Sequence, residues 1–351
     1  MDYDVLAFIG RFQPFHMGHM VVVDEALKRA KKVALVLGSH DQPRNTRNPF
    51  TTSERIEMIT AVYPNEVADG RIVFVPQADW TYSLDRWIME TQAKVTQVAN
   101  TPFTPDPVRI GLIGHSKDHT SFYLKSFPMW DSVEVGNVNG INATDLRESF
   151  FEDVDCISDE AFDRSSTLRS MVPSSVATWM DSFIGTSAYR QLVAEHSFVR
   201  TYKQQFANMP YPPTFNTVDA VVVQSGHVLL VRRGAAPGKG LWALPGGFLD
   251  QNETLLDGAI RELREETRIS VPDPVLRGSV KGQRTFDDPH RSQRGRTLTT
   301  AFMIRLQDRE DLPKIKGSDD ADKAAWVPLA DLKRNMMFED HFDIITEMAD
   351  I

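Results

Sequence analysis

Three carboxylates stand close together in residues 244–269, LPGGFLDQNETLLDGAIRELREETRI. Glu262, Glu265 and Glu266 are spaced at offsets of zero, three and four, which an α-helix brings to one face. Like charges crowded on one face repel. A hard divalent cation such as Mg²⁺ relieves that repulsion, because it prefers oxygen ligands and also binds substrate phosphates. A solvated acidic helix is the plainer alternative for such a cluster. The flanks favour the cation: Gly246 and Gly247 allow a tight turn, Glu253 follows six residues after Gly247, and Arg261 stands beside the acids as a counter-ion. A second chemical cluster lies at residues 8–19, FIGRFQPFHMGH. A short apolar run ends at Gly10, and His16 and His19 then fall three apart where a helix would begin. Free backbone N–H groups and the helix dipole make such a start a site for anions. Two imidazoles there suit a phosphate cradle rather than a metal.

The elements that must position these residues differ between the two halves. In the first, strand-like Val5–Ile9, Val33–Leu37, Ile72–Val75 and Ile110–Ile113 alternate with helical Val21–Ala30, Thr52–Val62 (Ser53 as its cap) and Leu84–Val98. This alternation predicts an α/β domain with a parallel sheet wrapped by helices. Ligands bind beyond the carboxyl ends of such strands, which Gly10, Gly38 and Gly114 mark. Residues 147–202 read as helical. Residues 209–213, Met-Pro-Tyr-Pro-Pro, carry three prolines in four positions and cannot continue a helix. Beyond them Val218–Val223 and Val228–Val231 flank Ser225-Gly226 as a hairpin. A strand at Thr299–Ile304, Trp326-Val327 and a closing helix complete an α+β domain. The expected organisation is therefore 1–185, a helical and proline-rich segment 186–213, and 214–351.

Composition sets bounds. A formal charge of −9 argues against a general nucleic-acid or anionic-membrane binder. The single cysteine, Cys156, permits no internal disulfide and fits a reducing compartment; its context suits a buried small apolar side chain better than a nucleophile. The N-terminus has early acids and no basic leader, and no apolar run reaches membrane-span length. A soluble, cytoplasmic protein is expected.

Residues Gly247, Glu253, Arg261, Glu262, Leu263, Glu265, Glu266 and Ile269 resemble the Nudix box, Gly-x5-Glu-x7-Arg-Glu-U-x-Glu-Glu-x-Gly-U with U aliphatic. Arg268 departs from it, standing where the family has the glycine that ends the helix. The resemblance implies hydrolysis of a nucleoside diphosphate linked to another group, with metal held by Glu262, Glu265 and Glu266. Arg284, Arg291, Arg294 and Arg296 crowd residues 281–297, a basic loop with Phe286 and Pro289 that is similar to the corresponding loop of ADP-ribose-cleaving Nudix enzymes. The water-activating base is open among Asp319, Asp320 and Asp322, in a loop before a strand, and Glu266.

The cluster at residues 8–19 resembles the HxGH signature of the nucleotidyltransferase superfamily, which implies phosphate contacts from Gly10, Arg11, Phe12, Gln13, His16 and His19. INATDLRES at 141–149 resembles the Ile-Ser-x-Thr-x-Ile-Arg motif that closes the triphosphate site, with Asn142 and Leu146 as mild departures and Thr144 and Arg147 in place. Residues 46–59, 78–88 and 111–130 are similar to archaeal-type nicotinamide mononucleotide (NMN) adenylyltransferases. That likeness implies Arg47 near the ATP phosphates and Trp87 near the nicotinamide ring, although core packing accounts for Trp87 equally well; Asp118 has a weaker claim. Together the two halves resemble the bifunctional NMN adenylyltransferase/Nudix hydrolases of bacteria. The expected substrates are ATP, NMN and ADP-ribose, with Mg²⁺ in both domains and no nucleic-acid or membrane partner; the oligomeric state stays open. Two rivals remain: a Nudix half that senses NAD metabolites without cleaving them, and a first half that adenylylates another phosphate acceptor.

Overall fold

The computed structural model describes residues 1–99, 108–114, 126–136, 141–152, 169–316 and 321–351, with 321–323 in backbone only. The chain divides into two compact units, Met1–Ala194 and Glu195–Ile351. The division falls inside the helix Ser187–Gln204 rather than at residue 185.

Unit one is built on a five-stranded parallel sheet: β1 (Tyr3–Gly10), β2 (Ala30–Leu37), β3 (Ile72–Pro76), β4 (Ile110–Gly114) and β5 (Asp131–Glu134) in the order β3-β2-β1-β4-β5. The central strands β1, β2 and β4 are apolar on both faces because both are covered, whereas the edge strand β5 buries only Val133. Along β1, Leu6 and Phe8 point into the cluster under α1 (Met17–Arg29) and α2 (Thr52–Val62), while Val5, Ala7 and Ile9 join Val95 of α4 (Leu84–Ala99) on the other face. Strand order reverses at β1, which opens a crevice beyond the carboxyl ends of β1 and β4, where such sheets take ligands. Thr51, not Ser53, caps α2. Its hydroxyl accepts from the Glu54 N–H at 3.3 Å, and the Glu54 carboxylate accepts from the Thr51 N–H at 2.7 Å, a reciprocal capping box. A short helix, α3 (Pro64–Ala68), leads into β3, and the later helices of this unit that bear on the site are α5 (Ala143–Glu152) and α6 (Ser174–Ile184).

Unit two contains a seven-stranded mixed sheet. β6 (Phe215–Gln224) and β7 (His227–Arg233) form the expected hairpin, with Ser225 at φ 46° and Gly226 at φ 72°. Two successive positive φ values match the right-handed twist of the flanking strands. The short strands β8 (Trp242–Ala243) and β9 (Gly246–Phe248) pair with β7 and β6. The Nudix-like helix is α7 (Leu255–Thr267), capped by Thr254. Residues 281–297 are not one loop: Val280–Phe286 is strand β10, paired antiparallel with β11 (Thr297–Arg305). β11 in turn runs parallel to β6, and β12 (Ala321–Pro328) closes the other side against β7. The period-2 signal of β10 is weak because Lys281 to Thr285 are exposed on both faces and only Phe286 is buried. The last helix, α8, spans His341–Ala349. Among the described residues, no helix is long and apolar enough to cross a membrane.

Candidate active sites

The site of unit one begins where β1 ends. Gly10 leaves room for the ring of Phe12, which would lie 3.0 Å from an added Cβ, and Phe12 turns the chain with φ 52°. Its ring is buried beneath the site, 5.2 Å from Phe8 and 4.8 Å from His19 between centroids. His16 is the N-cap of α1 and is buried; its N–H donates to His19 Nδ1 at 3.2 Å and the two imidazoles stack at 3.6 Å. Both histidines therefore sit together at the helix start, as their spacing predicts.

Gln13 has a different place from the expected one. Its buried amide donates to the Phe50 carbonyl at 2.8 Å and accepts from the Phe50 N–H at 2.9 Å, so it anchors the segment that carries Arg47. Its own carbonyl accepts from Arg147 at 2.9 Å. Arg147 also donates to the Thr144 hydroxyl at 3.2 Å, and Asn142 caps the turn by accepting from the Thr144 N–H at 2.9 Å. Arg147 is buried and Arg11 half-buried. Burial, then Arg47 and Arg147, hold the Arg11 pKa down to about 9; burial, then Arg47, hold Arg147 down to about 10. Arg11 Nη1 is buried with no hydrogen-bond partner among the described residues. Arg47 and Arg147 both act on Arg11, and Asp79 is the one carboxylate that opposes them there, so the three guanidiniums form a cradle short of negative charge. A polyphosphate supplies it.

The motif search misses Arg55. It is 1% exposed, and its guanidinium donates to the carbonyls of Arg11 at 2.6 Å and Gly38 at 2.7 Å and to the Thr52 hydroxyl at 3.0 Å. It ties the ends of β1 and β2 together beneath the crevice. Only its place in the TSERI segment hints at this, since an arginine on a helix reads as solvated until the packing is known. Trp87 is half-buried and packs 5.9 Å from Phe127 in the cluster on the α4 side of the sheet. Asp118 lies outside the described residues.

In unit two, the glycines of β9 permit close approach. A Cβ on Gly246 would lie 2.2 Å from the Val218 carbonyl oxygen, and one on Gly247 2.5 Å from a Glu262 carboxylate oxygen. Arg261 is a hub: it donates to Glu253 at 2.7 and 3.0 Å, to Glu262 at 2.9 Å, to Glu265 at 3.1 Å and to the Phe248 carbonyl at 3.2 Å. Glu266 turns inward, accepting from the Gly246 N–H at 3.0 Å. The three acids thus share a helix face without meeting at one point, and among the described residues no group of three acidic, histidine or cysteine side chains has metal-holding geometry. The donor chemistry nevertheless fits a divalent cation. Burial, reinforced by the Glu262 and Asp219 carboxylates, pushes Glu266 up to about 8, and burial also raises Glu262. These are hard oxygen donors for which Arg261 supplies the positive charge at Glu262 and Glu265, while Glu266 has only the Gly246 N–H as a hydrogen-bond donor among the described residues.

A cavity of about 210 Å³ opens beside this face, lined by Gly246, Gly247 and Glu266 on one side and by Arg233, Arg294 and Glu339 among others. The four arginines of 281–297 separate here. Arg294 and Arg291 line the cavity, but Arg291 is locked in a bidentate pair with Asp340 at 2.8 and 2.9 Å, both partners nearly inaccessible. Arg284 pairs with Glu347 at 2.6 Å and Arg296 donates to the Asp287 carbonyl at 2.6 Å; neither lines the cavity. Asp319 and Asp320 lie outside the described residues; Asp322 belongs to β12 rather than to a loop. Asp219, Arg233, Glu339 and His341 line the cavity without any motif having marked them. They come from strand and loop positions far apart in sequence.

Fold and sites define the class: a nucleotidyltransferase-like unit followed by a Nudix unit. Residues 7–105 match the cytidylyltransferase-like family and residues 213–348 the NUDIX domain. The nicotinamide/nicotinic acid mononucleotide adenylyltransferase of Acinetobacter baylyi is 34% identical over 191 residues, 54% of this chain and 92% of that protein. The ADP-ribose pyrophosphatase of Methanocaldococcus jannaschii is 31% identical over 130 residues, 37% of this chain and 70% of that protein. The crystal structure of a bifunctional NMN adenylyltransferase/ADP ribose pyrophosphatase from Francisella tularensis, complexed with AMP and a manganese ion, is 35% identical with a TM-score of 0.88, covering 99% of each chain. The chain belongs to this family of bifunctional NMN adenylyltransferase/ADP-ribose pyrophosphatases, whose Francisella member supports divalent-metal dependence.

Proposed function

We propose that the protein makes and breaks phosphoanhydride bonds of NAD metabolism in two separate sites. In unit one the phosphate oxygen of NMN attacks the α-phosphorus of ATP. A new P–O–P bond forms NAD, and the bond to the β-phosphate breaks to release diphosphate. No protein nucleophile is needed, so the residues act by placement and charge. His16 and His19 sit at the α1 start to hold phosphate oxygens, and Arg11, Arg47 and Arg147 offset the charge that builds on the leaving diphosphate. The single observation that carries this reading is Arg11, whose Nη1 is buried without a hydrogen-bond partner among the described residues and whose pKa is held down by burial and by the nearby Arg47 and Arg147 guanidiniums.

In unit two the proposed reaction is hydrolysis of ADP-ribose to AMP and ribose 5-phosphate. Water adds to one phosphorus, and the bridging P–O bond breaks. Glu262, Glu265 and Glu266 would hold Mg²⁺, which supplies Lewis-acid polarisation of the diphosphate and a more acidic bound water. Arg233 and Arg294 offer cations to the diphosphate, and the proton from water goes to one of Asp319, Asp320 and Asp322, or to Glu266 at the cost of one metal ligand. The intact acids favour this over a metabolite sensor. The test is to supply the purified chain with NMN and ATP, and separately with ADP-ribose, each with Mg²⁺, and to follow products by ³¹P NMR. NAD plus diphosphate in the first and AMP plus ribose 5-phosphate in the second are expected. ADP-ribose binding without turnover would favour the sensor, and ATP consumption only with another phosphate acceptor would replace the NMN assignment.

A further inference from the structure

Glu339 lines the cavity of unit two but has no role in the reaction as described above. Its backbone is left-handed at φ 44°, a conformation that side-chain-bearing residues keep only where their surroundings hold them there. Three attachments do so. The Phe338 N–H donates to the Trp242 carbonyl at 2.7 Å, Asp340 is locked to Arg291, and His341 Nδ1 accepts from the Leu244 N–H at 2.9 Å. The turn therefore presents the Glu339 carboxylate rigidly. One of its oxygens accepts from the Gln293 N–H at 3.0 Å. Arg294 lines the same cavity, and its Nε is buried with no hydrogen-bond partner among the described residues.

A fixed carboxylate restricts which part of a diphosphate substrate can lie against it. The diphosphate itself is repelled. A purine needs an open flat wall, and Phe338 provides none: it is 3% exposed, with the Arg233 guanidinium 3.9 Å over its ring. At about 210 Å³ the cavity is also smaller than pockets that enclose a whole nucleotide-sized ligand, so it takes a fragment. A sugar with two adjacent hydroxyls is uncharged and rich in donors, and an acidic side chain serves ribose hydroxyls in this way in dinucleotide sites.

We propose that Glu339 is a specificity-determining residue of the hydrolytic site, accepting hydrogen bonds from the vicinal hydroxyls of the terminal, base-free ribose while Arg294 holds the adjoining phosphate. This rests on the ADP-ribose reading of unit two. The test uses the full chain and Glu339→Gln with two substrates: ADP-ribose, and an analogue whose terminal sugar lacks both vicinal hydroxyls. A hydrogen bond to an ionised group is worth enough that Glu339→Gln lowers kcat/KM for ADP-ribose about 10- to 100-fold, chiefly through KM. On the analogue, wild type and variant agree within about 2-fold. Calorimetry of ADP-ribose binding in chelator gives the same selectivity without turnover. Equal loss on both substrates, or loss on neither, overturns the proposal. A wild-type chain that leaves ADP-ribose uncleaved and unbound defeats the underlying reading instead, and the proposal with it. A wild-type melting profile for unit two reports that the variant is folded; if the glutamine variant unfolds, Glu339→Asp, which withdraws the carboxylate, must show the same substrate-selective loss.

Discussion

Arg268→Gly should make the hydrolytic unit more stable. Arg268 ends α7 at φ 44°, ψ 39°, with its N–H donating to the Arg264 carbonyl at 2.9 Å, so the backbone makes the left-handed turn that the family's glycine would make. An L side chain in that region costs about 1–2 kcal/mol. Glycine removes that cost but adds freedom to the unfolded chain, which costs about 0.4–1 kcal/mol. The Arg268 side chain is exposed, so little packing is lost. The net gain is roughly 0.5–1 kcal/mol, and for a unit of this size each 1 kcal/mol is worth about 2–4 °C. The midpoint for heat inactivation of ADP-ribose hydrolysis should rise by about 1–4 °C, with the rate at 25 °C unchanged. That midpoint reports unit two directly. A fall of a degree or more would refute the reasoning, because it would mean that the guanidinium contributes more than the backbone conformation costs.

His19→Ala should cut NAD synthesis by roughly 10²-fold, the usual contribution of a preorganised charge-stabilising donor, and leave ADP-ribose hydrolysis within error; equal loss of both would indicate a folding defect. Glu266→Gln should abolish hydrolysis at millimolar Mg²⁺ while sparing NAD synthesis. Because it neutralises a buried carboxylate beside Glu262 and Asp219, it should also raise the melting temperature measured in chelator at pH 8. Near-normal hydrolysis by this variant and by Glu265→Gln would sink the metal-binding reading of α7. Arg55→Met should leave the buried carbonyls of Arg11 and Gly38 without donors, a loss of about 1–3 kcal/mol for each unsatisfied group. NAD synthesis should then fail well below the wild-type melting temperature; an unchanged midpoint would show that water replaces the guanidinium.

Much of this molecule is legible from local pattern. β1, β2, β3, β4 and their helices follow from apolar runs and helical spacing, because a doubly covered parallel sheet demands continuous apolar strands. The β6–β7 hairpin follows from Ser225-Gly226, and the His16/His19 pair and the acids of α7 from spacing on one helix face. β10 escapes the same reading, since an exposed strand carries no burial pattern and its arginines mimic a basic loop. Which arginine is available to a ligand is a matter of tertiary partners. Arg284, Arg291, Arg294 and Arg296 are equivalent as letters, yet Asp340 takes Arg291, Glu347 takes Arg284 and the Asp287 carbonyl takes Arg296, leaving Arg294 at the cavity. Gln13 likewise reads as a ligand contact until the Phe50 backbone claims its amide. The sequence by itself determined the two chemistries, because motif spacing within one helix or turn is a local property. The tertiary structure alone decided where Arg55 and Glu339 stand, because burial and charge pairing depend on residues far away in the chain.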